Sequence, residues 1–398
     1  MSARELGNPL GNQLAKSRGA GINAGGIGSI AYSYTKPGEN YIKGGVLNRA
    51  EYPRLASLLG NIQDVAPVSF STVTATNLPT TNSGAKICEG VDGVLIGLTT
   101  SAIRRSTDGG LTWVNVTPAG MEGSASPRCL AAGRDGVVCA FFFSSANGIR
   151  MWRSADNGQT FSLLTSTSSF GYPEAVDVGA NGTWITSGGS GSIKIFRSTD
   201  NGLTWANVGP TNGTTGYMTI RTDGFGTWVT GGIPGSRISF DDGASWSVLP
   251  ISAKPFQIDT DGDGTWVVLN YASASEPALC FSTDNAVSWT VLPNAALNNL
   301  FYGSGSGIPY GLANDRRGNW IIIYSQDSTY KARKNTKGLT EWSSIADNLG
   351  ITALGYKGDI LLFGAGANYQ RGVIVPSYNP ATQFYVPPLG PGAWLRAR

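Results

Sequence analysis

The chain has 398 residues, with 29 Lys and Arg against 26 Asp and Glu, a net charge of +3 and only 14% charged residues. Its basic residues are scattered, so no stripe marks a nucleic-acid partner. No apolar run approaches the roughly 18 residues that a membrane helix needs, which argues against membrane insertion. There is no histidine, and Cys88, Cys129, Cys139 and Cys280 show no Cys-x-x-Cys spacing, so a Cys/His zinc site is excluded. These cysteines read as buried thiols, with Cys129 and Cys139 flanking a hairpin turn where they could face each other.

In chain order, residues 1–30 combine sparse leucines with the glycine-rich run Gly19 to Gly28, too little apolar surface for a core. This segment lacks the apolar centre of a signal peptide, so a non-secretory route is expected. It reads as an extended segment that orders on a partner. Next, Asn48 and Glu51 form an Asn-x-x-Glu capping box, Leu55, Leu58 and Leu59 share one helical face, and Gly60 is a stop signal. A short helix is predicted there, within a module spanning residues 31–65.

The long middle of the chain, residues 66–386, is built from repeats. The phrase Ser106-Thr107-Asp108-Gly109-Gly110-Leu111-Thr112-Trp113 returns from Ser154 to Phe161, Ser198 to Trp205, Ser239 to Trp246 and Ser282 to Trp289. Its aspartates, Asp108, Asp156, Asp200, Asp241 and Asp284, stand 48, 44, 41 and 43 residues apart. Ahead of the repeated phrase recur openings such as Gly182-Thr183-Trp184-Ile185, Gly226-Thr227-Trp228-Val229, Gly264-Thr265-Trp266-Val267 and Gly318-Asn319-Trp320-Ile321. Three looser openings, at Asp92, Asp135 and Gly358, bring the number to seven. Four short strands in a unit of about 40 residues is the pattern of a propeller blade. Two altered phrases, Asn335 to Trp342 with Lys337 in the aspartate position and Ser377 to Phe384 with Asn379 there, also bring the phrases to seven. The count favours seven blades, with six as the alternative if the last sheet is incomplete.

The Ser-x-Asp-x-Gly-x-Thr-Trp phrase resembles the Asp box, or BNR repeat, of sialidases and related β-propellers. The resemblance implies a hairpin turn between the third and fourth strands of a blade. The residues supply the physical reason: the carboxylate accepts bonds from its own turn, Gly110, Gly158, Gly202 and Gly243 can take positive φ, and the Trp packs between sheets. The five aspartates are therefore structural.

Both chain ends carry a second resemblance. Tyr41 to Gly60 resembles the opening of the tail-collar-type domain of phage tail fibres, with its Gly, Leu, Arg, Tyr-Pro and closing Gly. Thr382 to Leu389 and Trp394 to Ala397 are similar to the Phe-x-x-Pro strand and the ending of the same proteins, although the usual Leu-Pro-Asp-Leu-Arg-Gly run is reduced to Val386-Pro387-Pro388-Leu389. The fold expected is thus an all-β Asp-box propeller inserted in a small α+β collar-like module, with residues 387–398 as a C-terminal tail. The resemblance implies a virion tail or baseplate protein made in the host cytoplasm and attached to other tail proteins through its first 30 residues. It also implies a homo-oligomer, with a trimer favoured, and a propeller displayed to host-surface polysaccharide.

An enzyme of the sialidase type needs an arginine triad, a Tyr nucleophile backed by Glu and an Asp acid. Arg128 and Arg221 fall in strands that open a blade, and Tyr172-Pro173-Glu174 is the nearest Tyr/Glu pair. With eight Glu in the chain and no clear carboxylate pair, the non-enzymatic reading is preferred. A propeller glycosidase acting on capsule or lipopolysaccharide is the alternative, and a bacterial Asp-box assembly factor is the next. Asp259-Thr260-Asp261-Gly262-Asp263-Gly264 matches the start of a calcium loop, but Asn270 occupies the place of the bidentate Glu. A plain turn and a calcium site at a hairpin tip both stay open for Asp259, Asp261 and Asp263. The long connections through Thr165–Tyr172 and Asn294–Pro309 are expected to contribute to any receptor surface.

Overall fold

The computed structural model describes most side chains in residues 86–342, short intervening stretches excepted, and backbone strands alone outside that span. The chain is an all-β propeller. Six four-stranded antiparallel blades are each built from four consecutive strands. Blade I comprises Lys86–Glu89, Leu95–Leu98, Ile103–Ser106 and Val114–Asn115. Blade II comprises Ser126–Ala132, Val138–Ser144, Gly148–Ser154 and Ser162–Leu164. Blade III runs through Pro173–Val178, Trp184–Gly188, Lys194–Ser198 and Ala206–Asn207. Blade IV follows with Thr219–Thr222, Trp228–Gly231, Arg237–Ser239 and Ser247–Val248. Blade V takes Pro255–Thr260, Trp266–Asn270, Pro277–Ser282 and Thr290–Pro293. Blade VI takes Ile308–Asn314, Trp320–Gln326, Thr329–Lys337 and Glu341–Asp347.

A further four-stranded sheet is composite. Thr352–Tyr356, Asp359–Phe363 and Asn368–Val375 are completed by Ala66–Thr74, from ahead of blade I. Its first strand touches the first strands of both blade VI and blade I. The favoured count of seven blades is thereby corrected to six, the alternative: the last repeat, expected to end at Val386, does not complete a four-stranded sheet from its own consecutive strands. The next described strand after Val375, Gln383–Val386, pairs with Gly45–Asn48 rather than with this sheet. The Ser377–Phe384 phrase, without an aspartate at Asn379, does not supply the fourth strand.

The remaining strands tie the chain ends together. Ala393–Arg396 lies between Ile30–Tyr32 and Tyr41–Ile42. No α+β collar module is evident: the described parts of both ends are strands, and the helix expected over Asn48 to Gly60 lies, after Asn48, outside the described residues.

The core sits between blades. Second strands are mainly apolar, and Trp184, Trp228, Trp266 and Trp320, which open four of them, are fully buried. Isoleucines, valines and phenylalanines of neighbouring blades close around them, as where Trp184 packs with Phe141 and Met151. Cys129 lies opposite Phe141 and Cys139 opposite Ala131, so the two cysteines do not face each other across the hairpin. All four thiols are free, and burial pushes those of Cys129 and Cys139 up to about 12.

Candidate functional site

The repeated phrase closes its own turn in the same way five times. In blade I, Ser106 Oγ donates to Asp108 Oδ1 (2.7 Å) and accepts from Gly110 N (2.9 Å). The Asp108 carboxylate also accepts from Leu111 N, Thr112 N and Thr112 Oγ1. The same Ser–Asp bond recurs at Asp156, Asp200, Asp241 and Asp284. Burial is the largest single influence at Asp156 and raises its carboxyl, but the hydrogen bonds of the turn together hold it down to about 2; at Asp241 the bonds from Ser245 lead and hold the carboxyl down to about 2 against burial. These acceptors are occupied by their own turns, so the aspartates act on the scaffold. Trp113 Nε1 donates to Gly110 O (2.9 Å), and Trp205, Trp246 and Trp289 repeat that bond.

The turns also set the ring's two faces. Antiparallel order puts the turn after the first strand beside the Ser-x-Asp turn of the same blade, as Asn157 N to Gly136 O (2.9 Å), Asp242 N to Gly226 O (2.9 Å) and Asn285 N to Gly264 O (2.9 Å) record. This is the turn face. First strands begin at the opposite, far face, where the connections through 165–171 and 294–307 join successive blades; those connections lie outside the described residues. In the composite sheet Val375 is paired with Ala66 at the place where other blades carry a Ser-x-Asp turn. The chain therefore leaves and re-enters the ring at the turn face.

The inner strands bring two polar groups to the axis. Toward the far face, Arg128, Tyr172 and Glu174 come together. Arg128 Nη2 is ion-paired with Glu174 Oε1, its Nε donates to Pro173 O (3.4 Å), and its guanidinium lies 5.5 Å from the centre of the Tyr172 ring. Phe143 backs that ring at 4.8 Å between centroids. Glu174 is thus bound to a cation rather than poised behind a Tyr nucleophile.

Arg221 is not part of this cluster. Its Nε lies 3.5 Å from Asp259 Oδ1 on blade V, and its charge also acts on Asp177 of blade III. Asn314 Nδ2 donates to Asp259 Oδ2 (2.7 Å), and Thr222 N donates to Asp177 Oδ2 (3.0 Å). Burial raises both carboxyls against the pull of Arg221, Asp259 to about 6. The residues considered for calcium are turned to separate partners. Asp259 faces Arg221 and Asn314, whereas Asp261 Oδ1 accepts from Asp263 N (2.8 Å) and Thr265 N (3.0 Å) of its own turn. Among the described residues no group of three or more His, Cys, Asp or Glu is placed to hold a metal.

Sequence reasoning missed the residue before the repeated Ser. Arg105, Arg153 and Arg197 each donate Nε to a backbone carbonyl of the next blade, at Asn157 (3.0 Å), Asn201 (2.8 Å) and Asp242 (2.8 Å). The recurring Arg-Ser pair was the available signal.

No family model matches the chain, and no curated protein does. Among solved structures it is similar to YCF48 bound to D1 peptide, at 14% identity and a TM-score of 0.56, covering 79% of this chain and 100% of that one. YCF48 from Cyanidioschyzon merolae matches at 13% identity and a TM-score of 0.50, covering 79% and 99%. A chain of the mitotic checkpoint complex matches at 9% identity and a TM-score of 0.55, covering 80% and 96%. At these identities the likeness is one of fold, and the fold they share with this chain is the β-propeller.

Proposed function

We propose that this chain is a virion tail protein of the Asp-box propeller type. In this reading the paired chain ends mount the ring on the tail and the far face meets a host-surface glycan without cleaving it. The observation that carries the reading is where the chain leaves the ring. Both ends depart together at the turn face, from Val375 and Ala66, and pair with each other beyond it. A mount on the turn face leaves the far face and its long connections outward. The collar-like residues at both ends support a tail, and the first 30 residues supply a segment for baseplate partners. A trimeric assembly belongs to the same proposal.

The test is to incubate the purified full-length protein with susceptible cells and their isolated surface polysaccharide. Reversible binding without release of reducing ends is expected. Release of reducing ends that stops in Asp259→Asn would favour the glycosidase reading, for which the raised Asp259 carboxyl beside Arg221 is the supporting observation. Absence of binding to cells and polysaccharide would overturn attachment.

A further inference from the structure

We propose that the far-face end of the first strands of blades I and II, at Lys86 and Arg128, binds the acidic group of a charged saccharide. This rests on the attachment reading and names the chemistry of its ligand. Lys86 opens the first strand of blade I and Arg128 lies in the neighbouring first strand of blade II. Both cations are partly buried, and Arg128 is already ion-paired to Glu174. Among the described residues Lys86 has neither an ion pair nor a side-chain hydrogen bond. Among the described residues one half-buried positive charge is therefore left over, which is unfavourable until an anion arrives.

The surroundings are consistent with a preformed site. Burial, and then the charge of Arg128, push the Lys86 ammonium below its usual range, although Cys129 opposes this. Arg128 is held by Pro173 O, Glu174 and the Tyr172 ring, so its position does not depend on a ligand. Lys86 supplies the compact charge that meets a carboxylate or a phosphate on a sugar ring, and Arg128, already held by Glu174, adds to the positive field beside it.

The experiment measures binding of the full-length protein to oligogalacturonate, to its methyl ester and to a phosphorylated mannan by calorimetry. At least one acidic probe should bind about tenfold or more tightly than the ester, with affinity falling as salt is raised. Lys86→Met should lose that preference while its melting temperature rises, because an unpaired buried charge has been removed. Lys86→Arg should keep the preference. Equal binding of acids and ester, or an unchanged preference in Lys86→Met, overturns the site. Cell binding that persists in Lys86→Met leaves attachment standing and removes this proposal. Acid binding without any cell binding keeps the site and removes attachment.

Discussion

Arg197 and Asp242, 45 residues apart on adjacent blades, are joined twice: Nε donates to the Asp242 carbonyl at 2.8 Å and Nη2 to its carboxylate at 3.1 Å. Asp242 sits at φ 61 in its turn and also accepts from Thr183 Oγ1 (2.5 Å), Asn181 Nδ2 (2.8 Å) and Trp228 Nε1 (3.2 Å). Burial alone would raise its carboxyl, but these bonds hold it below the usual range. One residue thus fastens blade III to blade IV.

The first prediction follows from that clasp. Hydrogen bonds to charged groups contribute about 1.5–3 kcal/mol, and screening of side chains 23% and 22% exposed places the loss in Arg197→Met near about 2 kcal/mol. Arg105→Met removes only a bond to a backbone carbonyl and should lose about 1 kcal/mol. Urea unfolding of the two variants checks the order. A larger loss in Arg105→Met would mean that the carboxylate of Asp242 adds nothing.

A second prediction concerns the fifth position of the turn. Gly158 and Gly202 have positive φ and pack so closely on the previous blade that an added Cβ would lie 2.8 Å from Ile96 and 2.7 Å from Cys139. Gly243 is packed still more tightly on Ile185. Blade V has Ala286 there, at φ 65, in one cluster with Val229. Gly243→Ala should lose about 2–5 kcal/mol, from a left-handed alanine and from overpacking. Adding Ile185→Val should recover about 1 kcal/mol. Ala286→Gly should be nearly neutral, because relief of strain offsets a lost methyl. Thermal melts of the four proteins test the set, and equal losses at Gly243→Ala and Ala286→Gly would refute the pairing.

The pH dependence has two opposed parts. The carboxyls of Asp156 and Asp241 are lowered to about 2, so their stabilisation is present above the usual carboxylate range and lost as pH falls through 2. Asp259 is raised to about 6, so its stabilisation is complete at low pH and lost as pH rises through 6. Asp259→Asn should therefore compare better with the parent protein at pH about 8 than at pH about 4. Urea midpoints at both values decide it, and a pH-independent difference would mean that Asp259 titrates normally.

What could be read from the sequence depended on how far apart the partners lie. A Ser-x-Asp turn closes within eight residues, from Ser106 to Trp113, so its residues disclose both the hairpin and the period. Trp184, Trp228 and Trp266 were legible as strand openings from their fixed place ahead of the turn, but their full burial between blades was not. The composite sheet pairs Arg371 with Ser71, and nothing local announces such a partner. The axial groups were half legible. Arg128, Tyr172 and Glu174 do meet, but Lys86, Asp177 and Asp259 join the axis through strand order around the ring, which one blade's sequence does not contain.

The last prediction separates mounting from closure. Residues 1–28 precede every strand of the ring, whereas Ala66–Thr74 is the outer strand of the composite sheet and pairs along most of Asn368–Val375. Deleting 1–28 should leave the melting temperature nearly unchanged, because no described strand of the ring lies in that segment, and, on the proposed tail function, should abolish incorporation into particles. Deleting 1–74 removes the closing strand, exposes the edge of Asn368–Val375 and should give a lower, less cooperative melt with aggregation. A synthetic peptide of 66–74 added during refolding should restore part of the transition, since strand addition at that edge needs no other residue of the N-terminal region. If the 1–28 deletion unfolds, the first segment belongs to the fold rather than to attachment. If the 1–74 deletion melts like the parent, the ring is closed without its composite sheet.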